Sequence, residues 1–215
     1  MSWIEQLQSA NWSQASCLAL GSYFLGCFAT GYYLVRMCRG EDIRELGSGN
    51  VGAKNVGRTL GWIGFVMTLA GDLAKGALAV WAVRHFTKDD RLVALAMLAV
   101  VAGHVWPIQL RFRGGKGMAT SLGALLIYDY HLAVAFVILF TCAASVLRRT
   151  VLPGLFAFSC LPLVSVYLEH NHSKVVGISI LAGLVLITHR KNLWEEISHF
   201  IERRNVHPKP NRPEP

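Results

Sequence analysis

The chain reads as an all-α polytopic membrane protein of about seven transmembrane helices, with its N-terminus outside and its C-terminus cytoplasmic. Three observations predict this class. Of 215 residues, 53% are hydrophobic and only 16% are charged, against roughly 25% charged in an ordinary soluble domain. Apolar segments recur along the whole length, at about 15–38, 59–84, 91–109, 117–128, 131–147, 151–168 and 173–188. Lys and Arg collect in alternate connections between those segments.

Each segment has its own justification. No Lys or Arg occurs in Met1–Gln14, so the first apolar stretch lacks a basic n-region and is read as a retained span rather than a signal peptide. The second carries Asp72 and Lys75, whose spacing puts both on one helical face, turned toward the bundle interior. The third runs to His104 and stops near Pro107. The fourth, centred on Met118–Tyr128, is too short to cross a hydrocarbon core of about 30 Å as an ordinary helix. It is either extended by flanking residues or a partial span shielded by protein. The last three segments complete an odd number of crossings.

The basic residues orient this set. Arg36, Arg39, Arg44, Lys54 and Arg58 fill the first connection, Arg111, Arg113 and Lys116 the third, and Arg148 and Arg149 the fifth. Arg190, Lys191, Arg203, Arg204, Lys209 and Arg212 lie in the tail, whereas Arg84, Lys88, Arg91 and Lys174 are left for the opposite side. The positive-inside rule therefore places the odd-numbered connections and the tail in the cytoplasm. Residues 1–204 read as one membrane-embedded domain, and the polar, proline-rich 205–215 as a disordered cytoplasmic tail. The net charge of +8 is scattered between apolar segments without aromatic interleaving, which excludes a nucleic-acid partner. Cys17, Cys27, Cys38, Cys142 and Cys160 contain no CxxC pair and read as small buried hydrophobes, not metal ligands or disulfides.

Three polar segments interrupt the apolar pattern, and the orientation puts all of them at the cytoplasmic face. They are GSGNVGAKNVGR (47–58), GHVWPIQLRFRGGKGMAT (103–120) and THRKN (188–192). Glycines let backbone N–H groups converge on an anion, and a following helix N-terminus adds its dipole. In the first segment Ser48, Asn50 and Asn55 add neutral hydrogen-bonding groups, and Lys54 and Arg58 add charge. In the second, Arg111, Arg113 and Lys116 surround Gly114 and Gly115, followed by Gly117, Thr120 and Ser121 as a helix begins. In the third, His189 and Asn192 share a helical face, and a histidine titrating near neutrality suits a general base or polar orienter. Each segment also has a purely structural reading: a tight packing loop, an ordinary positive-inside loop, and a polar helix cap. His104, near a helix end, likewise reads first as a hydrogen-bonded structural residue.

Several sharper motifs fail on context. Gly47, Gly49 and Gly52 satisfy GxGxxG, with Asp72 beyond them, but no strand precedes them and Asp72 lies in a span. A phosphate-binding Walker loop needs glycine at Leu110 and Ser or Thr at Gly117. His85 and Asp90 fit the HxxxxD pattern of acyl-CoA-dependent glycerolipid acyltransferases, but the topology puts them on the outer side, away from the three segments.

These segments, with Asp72–Lys75–Gly76 and YFLGCFATGYYL of the first span, occur in the order and approximate spacing of one family. Over roughly residues 18–195 the chain resembles the bacterial acyl-phosphate:glycerol-3-phosphate acyltransferases, the PlsY family. The resemblance implies a seven-helix enzyme of the bacterial inner membrane with its motifs at the cytoplasmic face. Its reaction moves a fatty acyl group from long-chain acyl phosphate to the sn-1 hydroxyl of glycerol 3-phosphate. The products are 1-acylglycerol 3-phosphate (lysophosphatidic acid) and phosphate, at the start of phospholipid synthesis. No metal, no other cofactor and no acyl-CoA are implied. Carried onto this chain, the resemblance makes His189, Asn192, Ser48 and Lys116 the catalytic group. It makes Gly49, Asn50, Asn55, Arg58, Lys75, His104, Arg113, Gly114, Gly115, Gly117, Thr120 and Ser121 substrate-binding. Two departures stand out: Lys54 where the family has Thr, and Glu195 and His199 where it has Arg and Gly after the third motif. A divergent member with another acceptor, or a membrane carrier for a small phosphorylated anion, is the alternative reading.

Overall fold

The computed structural model describes residues 12–168, 171–194 and 198. Its regular elements among these residues are helical. The first apolar stretch is split: α1 (Trp12–Cys27) and α2 (Thr30–Arg39) are separated by a break at residues 28–29. A broken helix inside a bilayer leaves carbonyls that lipid cannot satisfy. Here protein satisfies them: the Gln109 amide donates to Cys27 O and Lys75 Nζ to Phe28 O at 2.7 Å.

α3 (Ala53–Phe86) is the longest helix and is interrupted at Gly61, whose φ of 75° is available to glycine at little cost. α4 (Asp90–Val105) starts at Asp89, whose carboxylate accepts the Arg91 N–H, a capping arrangement that satisfies an otherwise orphaned donor. A 3₁₀ turn, Ile108–Leu110, leads to α5 (Met118–Tyr128). α6 (Tyr130–Leu147) is capped by Asp129 through the N–H groups of His131 and Leu132. α7 (Val151–Leu168) and α8 (His172–Thr188, capped by Asn171) complete the bundle.

Two tight helix crossings set its geometry. Gly26 of α1 and Gly103 of α4 lie against Val100 O and Tyr23 O of the facing helix, and Gly76 of α3 and Gly123 of α5 lie against Thr120 O and Leu73 O. Any Cβ at these positions would overlap backbone. Small residues at crossings are how helices pack where lipid removes the hydrophobic drive to associate. The core behind them includes Val80, Met97, Leu125, Phe158, Leu161, Ile178 and Leu181. Outward-facing Trp62, Phe24, Ile138, Val146 and Leu163 present an apolar surface suited to lipid.

The expected seven apolar segments are all present as helix. Five spans are long and apolar enough to cross a membrane: Trp12–Arg39, Ala53–Phe86, Asp90–Leu110, Tyr130–Leu147 and Val151–Leu168. Met118–Tyr128 and His172–Thr188 are shorter. The chain is thus a multi-pass helical membrane protein, and the short α5 is shielded by α3 as one of the two expected solutions. The cysteines need correction. Cys27 is buried, but Cys17 and Cys142 face outward, because a residue in a lipid-bathed span needs no protein neighbour to avoid water, and Cys38 is exposed beside Arg39 where α2 ends. The 205–215 tail, Glu195 and His199 lie outside the described residues.

The helix ends form two groups. At one end Arg84 pairs with Asp90 at 3.0 Å and donates to Tyr128 O at 3.0 Å. Asn171 donates to Asp90 and Lys174 to Asp129 at the same end. The other end gathers the connections after α2, α4 and α6 together with the end of α8.

Candidate active site

The first polar loop is shaped from within by Asn55. Its buried carboxamide accepts the Ser48 N–H at 2.9 Å and donates to Leu46 O at 2.8 Å and Asn50 O at 3.0 Å. Gly47 and Gly49 take φ of 56° and 69° to wrap the backbone around it. Asn50 in turn accepts the Gly52 N–H at 3.1 Å. Ser48, Gly49 and Arg58 are left exposed on the outside of this turn. Asn55, expected to bind substrate, has its carboxamide bonded to its own loop and shapes that loop.

Arg44 fastens this loop to the next one. Its guanidinium grips Asp42 at 2.6 Å, donates to Leu110 O at 2.8 Å and covers the Tyr32 ring. The guanidinium holds the Asp42 carboxyl below the usual carboxylate range, more than offsetting its partial burial.

The second loop folds back on the end of α4. Gly114 and Gly115 donate their N–H groups to Val105 O and His104 O, each at 3.0 Å. A Cβ on Gly114 would meet His104 O, and one on Gly115 would meet the His104 ring. Both amides expected to cradle phosphate are thus already spent, and these glycines serve close approach. Gly117 starts α5 with φ 85° and no side-chain cap, and the first N–H groups of a helix are suited to donate to an anion. Just inside, the Thr120 and Ser121 hydroxyls are buried without a hydrogen-bond partner among the described residues. Arg113 is exposed. Arg111 and Phe112 take successive left-handed conformations, φ 54° and 60°, a strained course for side-chain-bearing residues.

Beneath this loop sits a buried charged cluster. Lys75 Nζ lies 3.0 Å from Asp72 Oδ1 and 2.7 Å from His104 Nδ1, while Thr30 Oγ1 donates to Asp72 at 3.2 Å. Lys75 and His104, both expected to touch substrate, are buried: Lys75 Nζ donates to Phe28 O and meets Asp72 and His104 Nδ1, and the His104 ring lies under Gly115. They hold the site up from behind.

The third motif closes the constellation. Thr188 Oγ1 donates to Lys116 O at 2.8 Å, and Lys116 Nζ donates to Asn192 Oδ1. His189 is buried at the end of α8, its Nδ1 2.9 Å from Val185 O. A carbonyl only accepts, so Nδ1 carries the proton and Nε2 keeps its lone pair. Burial depresses the His189 pKa first, with the ammonium groups of Lys116 and Lys54 acting in the same direction against the Val185 hydrogen bond. Lys54 of the first motif therefore stands close to the other two, where it donates to Thr150 Oγ1 at the start of α7. All three motifs meet at one end of the bundle.

A family model described as glycerol-3-phosphate acyltransferase matches residues 16–199. The chain belongs to the glycerol-3-phosphate acyltransferase family. A relative named glycerol-3-phosphate acyltransferase 1, from Desulfitobacterium hafniense (strain Y51), is 43% identical over 187 residues, 87% of this chain and 93% of the relative. The crystal structure of PlsY (YgiH), an integral membrane glycerol 3-phosphate acyltransferase, in its glycerol 3-phosphate form superimposes with a TM-score of 0.80. It shares 28% identity and covers 86% of this chain and 93% of that one. The lysophosphatidic acid form of the same protein gives a TM-score of 0.78 at 27% identity, with the same coverage.

Within this family member, several site-building residues were not legible beforehand. Thr188 and Arg44 lie in or beside the motifs, but nothing in their spacing foretells a bond to a distant backbone. Thr150 belongs to a short basic turn with no motif signal. The HxxxxD decoy behaves as expected: Asp90 is occupied by Arg84 and Asn171 at the opposite end, and His85 stacks near Trp81.

Proposed function

We propose that this chain transfers a fatty acyl group from acyl phosphate to the sn-1 hydroxyl of glycerol 3-phosphate, at a site facing the cytoplasm from the bacterial inner membrane. The observation that carries the reading is the convergence of Lys116, Asn192 and His189 beside the first loop and the α5 N-terminus. Both substrates carry phosphate, and a site combining Lys116, Arg58, Arg113 and helix N–H groups holds two anions side by side. The names of the relatives and the two ligand forms of the structural neighbour support the acceptor and the product.

The chemistry asks little beyond placement. Acyl phosphate is a mixed anhydride, so the attacking hydroxyl displaces phosphate as the acyl carbon–oxygen bond breaks. His189 Nε2 accepts the hydrogen bond of that hydroxyl and orients it, and the proton leaves with the phosphate released. The Asn192 amide N–H, free of the Lys116 contact through its oxygen, adds a donor. Lys116 and the α5 N-terminus stabilise the departing charge. The acyl chain remains among the apolar helices. No step passes through a metal or an acyl-enzyme.

The buried Asp72–Lys75–His104 cluster does not favour the carrier reading, since its groups are tied to one another and to a helix break. The test uses the full chain in liposomes with labelled glycerol 3-phosphate and acyl phosphate. Lysophosphatidic acid forms, and Lys116→Ala lowers kcat by about 100-fold or more, the scale of losing one stabilising donor. Saturable uptake of the label without acyl transfer would replace this reading with the carrier.

A further inference from the structure

Lys54, exposed at the start of α3, stands apart from Lys75, the buried lysine of the bundle interior. Lys75 has its carboxylate, Asp72, at 3.0 Å. Lys54 is held by a neutral hydroxyl, Thr150 Oγ1, and among the described residues it has no carboxylate partner. Nor does Arg58, one helical turn further along α3, which repels it. Of the carboxylates in the preceding loop, Glu41 turns to Arg39 and Asp42 to Arg44, and Glu45 acts on Arg44. Lys116, at the same place, meets Asn192 through a carboxamide oxygen. The charge of Lys54 and that of Lys116 both reach His189. Lys54 and Arg58, without carboxylate partners among the described residues, thus share one region with Lys116, and the repulsion among these cations is relieved when a dianion enters.

We propose that Lys54 is a further substrate ligand of this site, its ammonium taking a phosphate dianion between Arg58 and Lys116. Thr150 pre-positions the ammonium from the α6–α7 turn, so the side chain is already ordered before the anion arrives. This assignment rests on the acyl-transfer reading for the identity of the anion, which is the phosphate of the acceptor, of the donor or of the released product. Those three share one chemistry. A neutral hydroxyl at this position could hydrogen-bond the same oxygens but would leave the anion one unit of charge short.

The experiment compares the full-length chain in detergent with its Lys54→Thr and Lys54→Arg variants. Calorimetric titration with inorganic phosphate should show affinity falling about tenfold in Lys54→Thr, the scale of one charge-assisted hydrogen bond, and recovering most of that loss in Lys54→Arg. In steady-state kinetics the same substitution should raise one KM by a similar factor, more than it lowers kcat. A rise confined to glycerol 3-phosphate assigns Lys54 to the acceptor, and a rise confined to acyl phosphate assigns it to the donor. Phosphate affinity and both KM values unchanged within about twofold in Lys54→Thr would overturn the proposal. Because phosphate binding is read without turnover, a wild-type chain that binds phosphate through Lys54 but transfers no acyl group contradicts the acyl-transfer reading alone.

Discussion

At the scale of single residues, the proposed acyl transfer makes protonation of His189 decide when the site works. Its Nδ1–H is committed to Val185 O, so the working atom is Nε2, and that atom is available only while the ring is neutral. Burial, with Lys116 and Lys54 facing the ring, lowers the pKa from the ordinary histidine value near 6.5. The neutral form therefore persists below that value, and kcat/KM should stay flat through pH 6.5 and fall only as pH drops through the lowered pKa. A pH–rate profile with its acid limb above 7 would contradict this assignment. The residue scale is also where the sequence was least informative. Spacing put His189 and Asn192 on one face and grouped Lys116 with its glycines. It could not tell that Asn55 spends its carboxamide inside its own loop, or that the Gly114 and Gly115 amides are spent on α4, because hydrogen-bond partners distant along the chain leave no local pattern.

At the scale of elements, the broken first span and the loop after α4 are one unit. Lys75 caps the α1–α2 break, touches His104 and balances Asp72, and His104 underlies Gly115. Lys75→Met should leave a buried carboxylate and a carbonyl unpaired and cost about 3–5 kcal/mol of stability, read as a lower unfolding midpoint in detergent. An unchanged midpoint would mean the cluster bears no structural load. Gly115→Ala tests the loop more gently, since its methyl meets a ring edge and the loop must lift. Turnover should fall by about tenfold or more while the unfolding midpoint holds, a misplacement effect; full activity would show that the loop height is not critical. Helices were legible because apolar length is written into the composition. The breaks at residues 28–29 and Gly61 were not: the first is held by distant partners at Cys27 O and Phe28 O, and a lone glycine in an apolar run does not announce the positive φ it takes at Gly61.

At the scale of the whole molecule, alternation of Lys and Arg between connections anticipated which helix ends would meet. The bonds Arg44 to Leu110, Lys54 to Thr150 and Thr188 to Lys116 tie together the connections that the charge pattern grouped. Arg84, Asp90, Asn171 and Lys174 gather at the other end. With the native cysteines other than Cys38 replaced, Cys38 should label from the cytoplasm and a Lys88→Cys variant from outside; labelling of both from one side would contradict the two-ended arrangement. The central claim is that three separated motifs form one two-phosphate site for acyl transfer. Its most direct measurement is timed lysophosphatidic acid formation by the purified full chain, with acyl phosphate and acyl-CoA compared as donors and Asn192→Ala as control. The expected result is product from acyl phosphate, little or none from acyl-CoA, and loss in the variant; a folded protein inert with acyl phosphates of several chain lengths, or an unimpaired Asn192→Ala, would contradict it.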